Sequence, residues 1–230
     1  MAAALLADRD GSVADICRTL GVSRSTLYRL KEKGQPLPEV KPAGTAAPKT
    51  SGHRHQAQSV SRVELVEPWK ALHRADARIR IVSPKPERVR GWKFTDWGNY
   101  IPVDVPLDQA QASEFDALLL PGGVMNPDSL RIQPKAVEFV KSFFDAGKPV
   151  ASICHGPWTI IETGAVRGRK VTSWPSLRTD LRNAGAEWVD QEVVVSNGLV
   201  TSRKPDDLPA FNQSMVDLFS QASTPAGHKG

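Results

Sequence analysis

The segment KPVASICHGPW sets Cys154 where an apolar run meets a turn rich in glycine and proline. A nucleophile on a strand-to-helix turn is exposed at the carboxyl end of the strand, and the N-terminus of the following helix favours its thiolate. Cys154 is therefore the candidate nucleophile. His155, next in the chain, can take the thiol proton or stabilise the thiolate if its ring folds back towards the sulfur. A second turn, Leu120-Pro121-Gly122-Gly123, ends another apolar run. The backbone amides of Gly122 and Gly123 can approach a substrate closely and hold an oxyanion, because no side chain intervenes. Either feature alone is ordinary, since a lone cysteine in a strand is usually core and a PGG is usually only a turn. Together they point to attack on a carbonyl or acyl carbon.

Other chemistry-bearing residues carry less. Cys17 reads as a small core residue. His53 and His55 have no acidic or cysteine ligand close by, so they read as solvated linker and no metal site is expected. No cofactor is implied, and His73 and His228 carry no signal.

The elements that would position the two turns are legible. Residues 79–83 (IRIVS), 117–120 (ALLL) and 150–154 (VASIC) are short apolar runs. Between the last two, residues 133–146 place Ala136, Val137, Val140, Phe143 and Phe144 at helical spacing, closed by Gly147 and Pro149. Fully apolar strands alternating with helices predict a mostly parallel sheet covered on both faces, with both turns at its carboxyl edge. Further on, residues 192–195 and 199–202 flank Asn197-Gly198, a strong hairpin signal, and a last amphipathic helix runs from about 209 to 219.

A chain of 230 residues has room for one full domain and a small extra module. With 40% hydrophobic and 24% charged residues it is neither wholly disordered nor collagen-like. Two distant cysteines exclude a disulfide framework and fit a reducing compartment. No apolar run approaches the ~20 residues of a membrane span, and a cytoplasmic location without membrane contact is expected. The net charge of +5 is unevenly placed: residues 1–56 hold nine Lys/Arg against five Asp/Glu, which leaves only +1 for the rest.

Residues 34–58 contain four prolines and three glycines and no apolar periodicity, which predicts a flexible linker. Before it, residues 1–33 read as two short helices around Gly21, the first opened by Ser12 and the second by Ser23. This stretch, with GVSRSTLYR as its most telling part, resembles the helix-turn-helix of site-specific resolvases and invertases. The resemblance implies a DNA contact through Ser23, Arg24, Ser25 and Tyr28, with Arg29 and Lys31 on the backbone. Residues 59–221 form the main domain, and 222–230 a disordered tail.

That main domain resembles the PfpI/ThiJ family of the class I glutamine amidotransferase-like superfamily. The motifs are VELVEPWKAL, FDALLLPGGVMNPDSLR, AVEFVKSFFDAGKPVASICHGPW, GRKVTSWPSLRTDLRNAGAEWVD and VVVSNGLVTSRKPDDLPAF. The resemblance implies an α/β, flavodoxin-like three-layer sandwich in which Cys154 is the nucleophile and His155 its partner. It assigns the oxyanion to the amides of Gly122, Gly123 and His155. It also implies homo-oligomerisation, with Asp128 reaching the histidine of a neighbouring subunit. The activity it implies is a cysteine-dependent hydrolase or stress-response enzyme acting on a peptide or small molecule, by peptidase, glyoxalase-like or deglycase chemistry.

Two departures from the family pattern stand out. The segment before VELVEP, residues 53–62, is too polar for a central strand, so the first strand is expected to be missing or degenerate. In register, the family's nucleophile-tuning glutamate falls on Ser61, whose hydroxyl cannot hold a proton as a carboxyl group does, while Glu64 and Glu67 nearby match positions expected on the following helix. A DNA-binding regulator and a catalytically silent truncated domain are the alternatives these features leave open.

Overall fold

The computed structural model describes residues 59–93 and 96–222. The segments read as helix-turn-helix, linker and tail thus lie outside the described residues, except that the last helix runs one residue into the tail.

The strands β1 (Ser59–Ser61), β2 (Val82–Ser83), β3 (Arg88–Lys93), β4 (Asp96–Pro102) and β5 (Val105–Pro106) come first, with helix α1 (Arg62–Arg74) between β1 and β2. Then follow β6 (Leu118–Leu120), α2 (Met125–Arg131), α3 (Pro134–Asp145), β7 (Val150–Ile153) and α4 (Pro157–Thr163). The chain continues through β8 (Lys170–Val171), α5 (Arg178–Asn183), β9 (Glu187–Trp188), β10 (Val193–Ser196), β11 (Leu199–Ser202) and α6 (Leu208–Ala222).

The central sheet has the order β10-β11-β7-β6; its β6–β7 and β7–β11 pairings are parallel and its β10–β11 hairpin antiparallel. Its two-residue period divides the core. Leu118, Leu120, Val150 and Leu199 face one side, where they meet Phe139, Val140 and Phe143 of α3 and Ile160 of α4. Leu119, Ala151, Ile153 and Val200 face the other, against Leu65 and Leu72 of α1 and Phe211 and Met215 of α6. Strands buried on both faces are what a parallel sheet between two helical layers requires.

The predicted strands and helices of this half are present, with ends that coincide or shift by at most three residues. The turn at Asn197-Gly198 has positive φ at both positions, 48° and 77°, as a two-residue hairpin of the I′ class demands.

The other half differs from expectation. A run of polar residues still makes a strand: β1 is three residues long and pairs in parallel with β3, which pairs antiparallel with β4. Among the described residues this three-stranded ladder is separate from the central sheet. The first strand is thus degenerate rather than absent. The strand expected over residues 79–83 shrinks to β2, which among the described residues pairs with the equally short β5 alone. The β3–β4 pair was not anticipated, because its residues are rich in arginine, glycine and aromatics and do not alternate cleanly.

Candidate active site

Cys154 follows β7 directly, with φ of 61°, a left-handed conformation unusual for a residue with a side chain. Such strain persists only where the surroundings enforce it. Here the Cys154 N–H donates to the Ser202 carbonyl at the end of β11 (3.0 Å), and the Cys154 carbonyl accepts from the Trp174 N–H (2.9 Å). The elbow is gripped on both sides. Cys154 is 6% exposed and His155 7%.

The imidazole of His155 does fold back: its Nδ1 lies 3.1 Å from Cys154 Sγ. Trp174 stacks on its face, with centroids 5.9 Å apart, and Trp158 meets it edge-on at 5.4 Å. Trp158 is in turn held by its indole N–H donating to Asp180 Oδ2 (2.7 Å). Burial lowers the His155 pKa, so the ring is neutral at pH 7.

On the other flank stands a carboxyl group in a position that the sequence pattern assigned to Ser61. It belongs to Glu64, in the first turn of α1 and 2% exposed. The Cys154 thiol, the Ser61 hydroxyl and the backbone N–H groups of Gly122 and Gly123 surround it and lower its pKa, but burial outweighs them and raises it to about 7. Oε2 is left without a well-formed hydrogen bond. The expectation of a lost glutamate is corrected: Ser61 stands at the N-cap of α1, and Glu64, three residues on in its first turn, supplies the carboxyl beside Cys154.

Gly122 makes this approach possible. A Cβ there would sit 2.6 Å from Glu64 Oε2, 2.7 Å from Cys154 Cβ and 2.8 Å from the Ile153 carbonyl. Its amide is turned towards Glu64, whereas the amides of Gly123 and His155 point at the sulfur and favour its anion. Of the predicted oxyanion pair, Gly122 serves the carboxyl, and Gly123 serves both the carboxyl and Sγ.

The thiol itself is pushed up, first by burial, then by the charge and hydrogen bond of Glu64; these outweigh the two amides. Burial and Glu64 thus oppose the thiolate that the helix N-terminus favours. Glu64 and Cys154 retain a proton between them at neutral pH, and an anion on one disfavours it on the other.

Asp128, in the first turn of α2, is exposed, and among the described residues it has no hydrogen bond to His155. Among the described residues no cluster of three His, Cys, Asp or Glu side chains suits a metal ion, and no helix is long and apolar enough to cross a membrane. The six residues expected at DNA, Ser23 to Lys31, lie outside the described residues.

Comparison with known proteins agrees with this geometry. The profile of the DJ-1/PfpI family matches residues 55–218. A deglycase of Pyrococcus abyssi is 42% identical over 163 residues, covering 71% of this chain and 95% of its own. General stress protein 18 of Bacillus subtilis is 44% identical over 160 residues, 69% of this chain and 91% of its own. Among solved structures, a two-domain protein of Anabaena variabilis with DJ-1/ThiJ/PfpI-like and ferritin-like domains superposes with a TM-score of 0.66 at 34% identity, covering 71% of this chain and 48% of that one. The chain belongs to the DJ-1/PfpI family.

Proposed function

We propose that the domain is a cysteine-dependent hydrolase that removes carbonyl-derived groups from amines or thiols, the deglycase reaction for which the Pyrococcus relative is named. The observation that carries this is the strained elbow at Cys154, with Sγ 3.1 Å from a neutral imidazole nitrogen.

Burial and Glu64 oppose a free thiolate, and Nδ1 lies within reach of Sγ, so attack and proton removal belong to one step. Sγ bonds to the substrate carbonyl carbon while its proton passes to His155 Nδ1. The electron pair of the C=O bond moves to oxygen, which the amides of Gly123 and His155 receive. For collapse to expel the amine or thiol, protonated by the His155 imidazolium, the attacked carbon must carry it: in a carbinol adduct the carbinol hydrogen first moves to the adjacent carbonyl carbon through an enediol, which leaves an amide or thioester without any external oxidant. Water then hydrolyses the acyl-enzyme C–S bond to release the hydroxy acid. Glu64, when protonated, donates to the sulfur and ceases to repel its negative charge. Asp128 is the proposed acidic contact from a neighbouring subunit in a homo-oligomer; its exposure leaves it free for one.

The test is release of free thiol from a methylglyoxal adduct of N-acetylcysteine, with a fluorogenic peptide assayed alongside. Cys154→Ala should lose roughly a millionfold in turnover of the adduct, as nucleophile removal does elsewhere. Turnover of the adduct undiminished in that variant refutes the proposal, and cleavage of the peptide alone makes the enzyme a peptidase.

A further inference from the structure

We infer that Ser176 positions His155 by favouring the imidazole tautomer that leaves Nδ1 free to accept the thiol proton. The inference rests on reading Cys154 and His155 as the reacting pair.

A neutral imidazole carries one proton, and only the tautomer with the proton on Nε2 leaves Nδ1 free to accept from Cys154. Something must favour that tautomer. Ser176 Oγ lies 3.5 Å from His155 Nε2, and among the described residues it is the side chain that meets this nitrogen. The contact is long, as catalytic hydrogen bonds often are before substrate closes the site. With Nε2–H donating to Oγ, the atoms Sγ, Nδ1, Nε2 and Oγ form one relay across the ring, in which the serine holds the far end.

The serine is well placed for this. It sits in the short 3-10 turn Pro175–Leu177, whose Leu177 is fully buried. That turn starts at Trp174, whose N–H donates to the Cys154 carbonyl and whose indole stacks on the imidazole. The same three-residue stretch thus fixes the ring plane through Trp174 and the ring proton through Ser176. Besides Cys154, the ionisable groups around the imidazole are Glu64 from α1, beside the sulfur, and Arg131 from α2 and Asp180 from α5, both reaching it through Trp158. None of these is bonded to Nε2.

The experiment records the imidazole nitrogen resonances of His155 by long-range proton–nitrogen correlation at pH 8, and the rate of Cys154 alkylation by iodoacetamide from pH 6 to 10. The unaltered protein should show the Nε2–H tautomer. Ser176→Ala should mix the tautomers and slow alkylation about fivefold, the worth of one modest hydrogen bond, without lowering the melting temperature. Ser176→Thr should restore both, and the tautomer is recorded in Asp128→Asn as well. An unchanged tautomer and alkylation profile in Ser176→Ala overturns the inference, as does a tautomer that follows Asp128 instead. Neither readout needs turnover, so the hydrolase reading can fail in the Cys154→Ala assay while this one stands.

Discussion

The two ladders that flank the site are built to different standards. In the central sheet, β6, β7 and β11 are buried along their whole length, and their side chains divide between two packed helical layers. In the β1-β3-β4 ladder, the first strand is three residues long and carries two serines. Yet the site draws on both: Cys154 and the Gly122–Gly123 turn end strands of the first, and Glu64 opens the helix that leaves the second. The nucleophile's position is fixed by a continuous core, whereas the carboxyl group that tunes it follows a short polar strand. A polar strand is tolerated there because α1, through Leu65 and Leu72, is anchored in the core independently of it.

The largest effect should come from breaking the stronger region. Phe143 is fully buried in α3 and meets Phe139 edge-on at 5.3 Å. Phe143→Ala should cost about 3–5 kcal/mol in denaturant unfolding, the loss of apolar burial plus an unfilled cavity. A value below 1 kcal/mol would show that the central sheet does not carry the stability assigned to it.

Next in size is Glu64. A carboxyl raised from 4.5 to about 7 holds its proton in the folded state and loses it in the unfolded one between those values, so it draws stability down as pH rises through that window. Glu64→Gln removes this dependence. Relative to the unaltered protein it should gain on the order of 2–3 kcal/mol between pH 4.5 and pH 8, while turnover falls about a hundredfold for want of an exchangeable proton. Urea titrations at the two pH values check the first effect. Equal stability differences at both would mean that Glu64 is not buried as an acid.

How much of this was readable in the chain follows the same division. Runs such as ALLL and VASIC announced buried parallel strands, and KPVASICHGPW announced an elbow, because apolar content and turn residues are local properties. The β3–β4 pair was not readable, since RVRGWK and DWGNYIP owe their extension to pairing with each other rather than to any alternation of their own. Glu64 was missed for a related reason. Counting along the motif placed the carboxyl at 61, and only a helix starting at Arg62 brings residue 64 over that place. The spacing Ser61-x-x-Glu64, a helix-start pattern, was the available signal. Ser176 had none, because the distance from position 176 to 155 exists only in the folded chain.

The smallest effects separate two glycines that look alike in sequence. Gly122 has no left-handed φ, and any cost of Gly122→Ala comes from crowding against Glu64, Cys154 and the Ile153 carbonyl. That substitution should destabilise by about 2 kcal/mol and also slow Cys154 alkylation, because the atoms in its way are those of the site. Gly198, in the hairpin of the central sheet, has φ of 77° and nothing within 4 Å of an added Cβ. Its cost on substitution by alanine is backbone strain alone, about 1 kcal/mol. Since the turn is remote from the elbow, alkylation of Cys154 should be unchanged in Gly198→Ala. Slowed alkylation in that variant would mean that the β10–β11 hairpin reports to the nucleophile through β11, whose Ser202 carbonyl holds the Cys154 amide. The sturdier ladder would then be a route for strain into the site rather than an inert support.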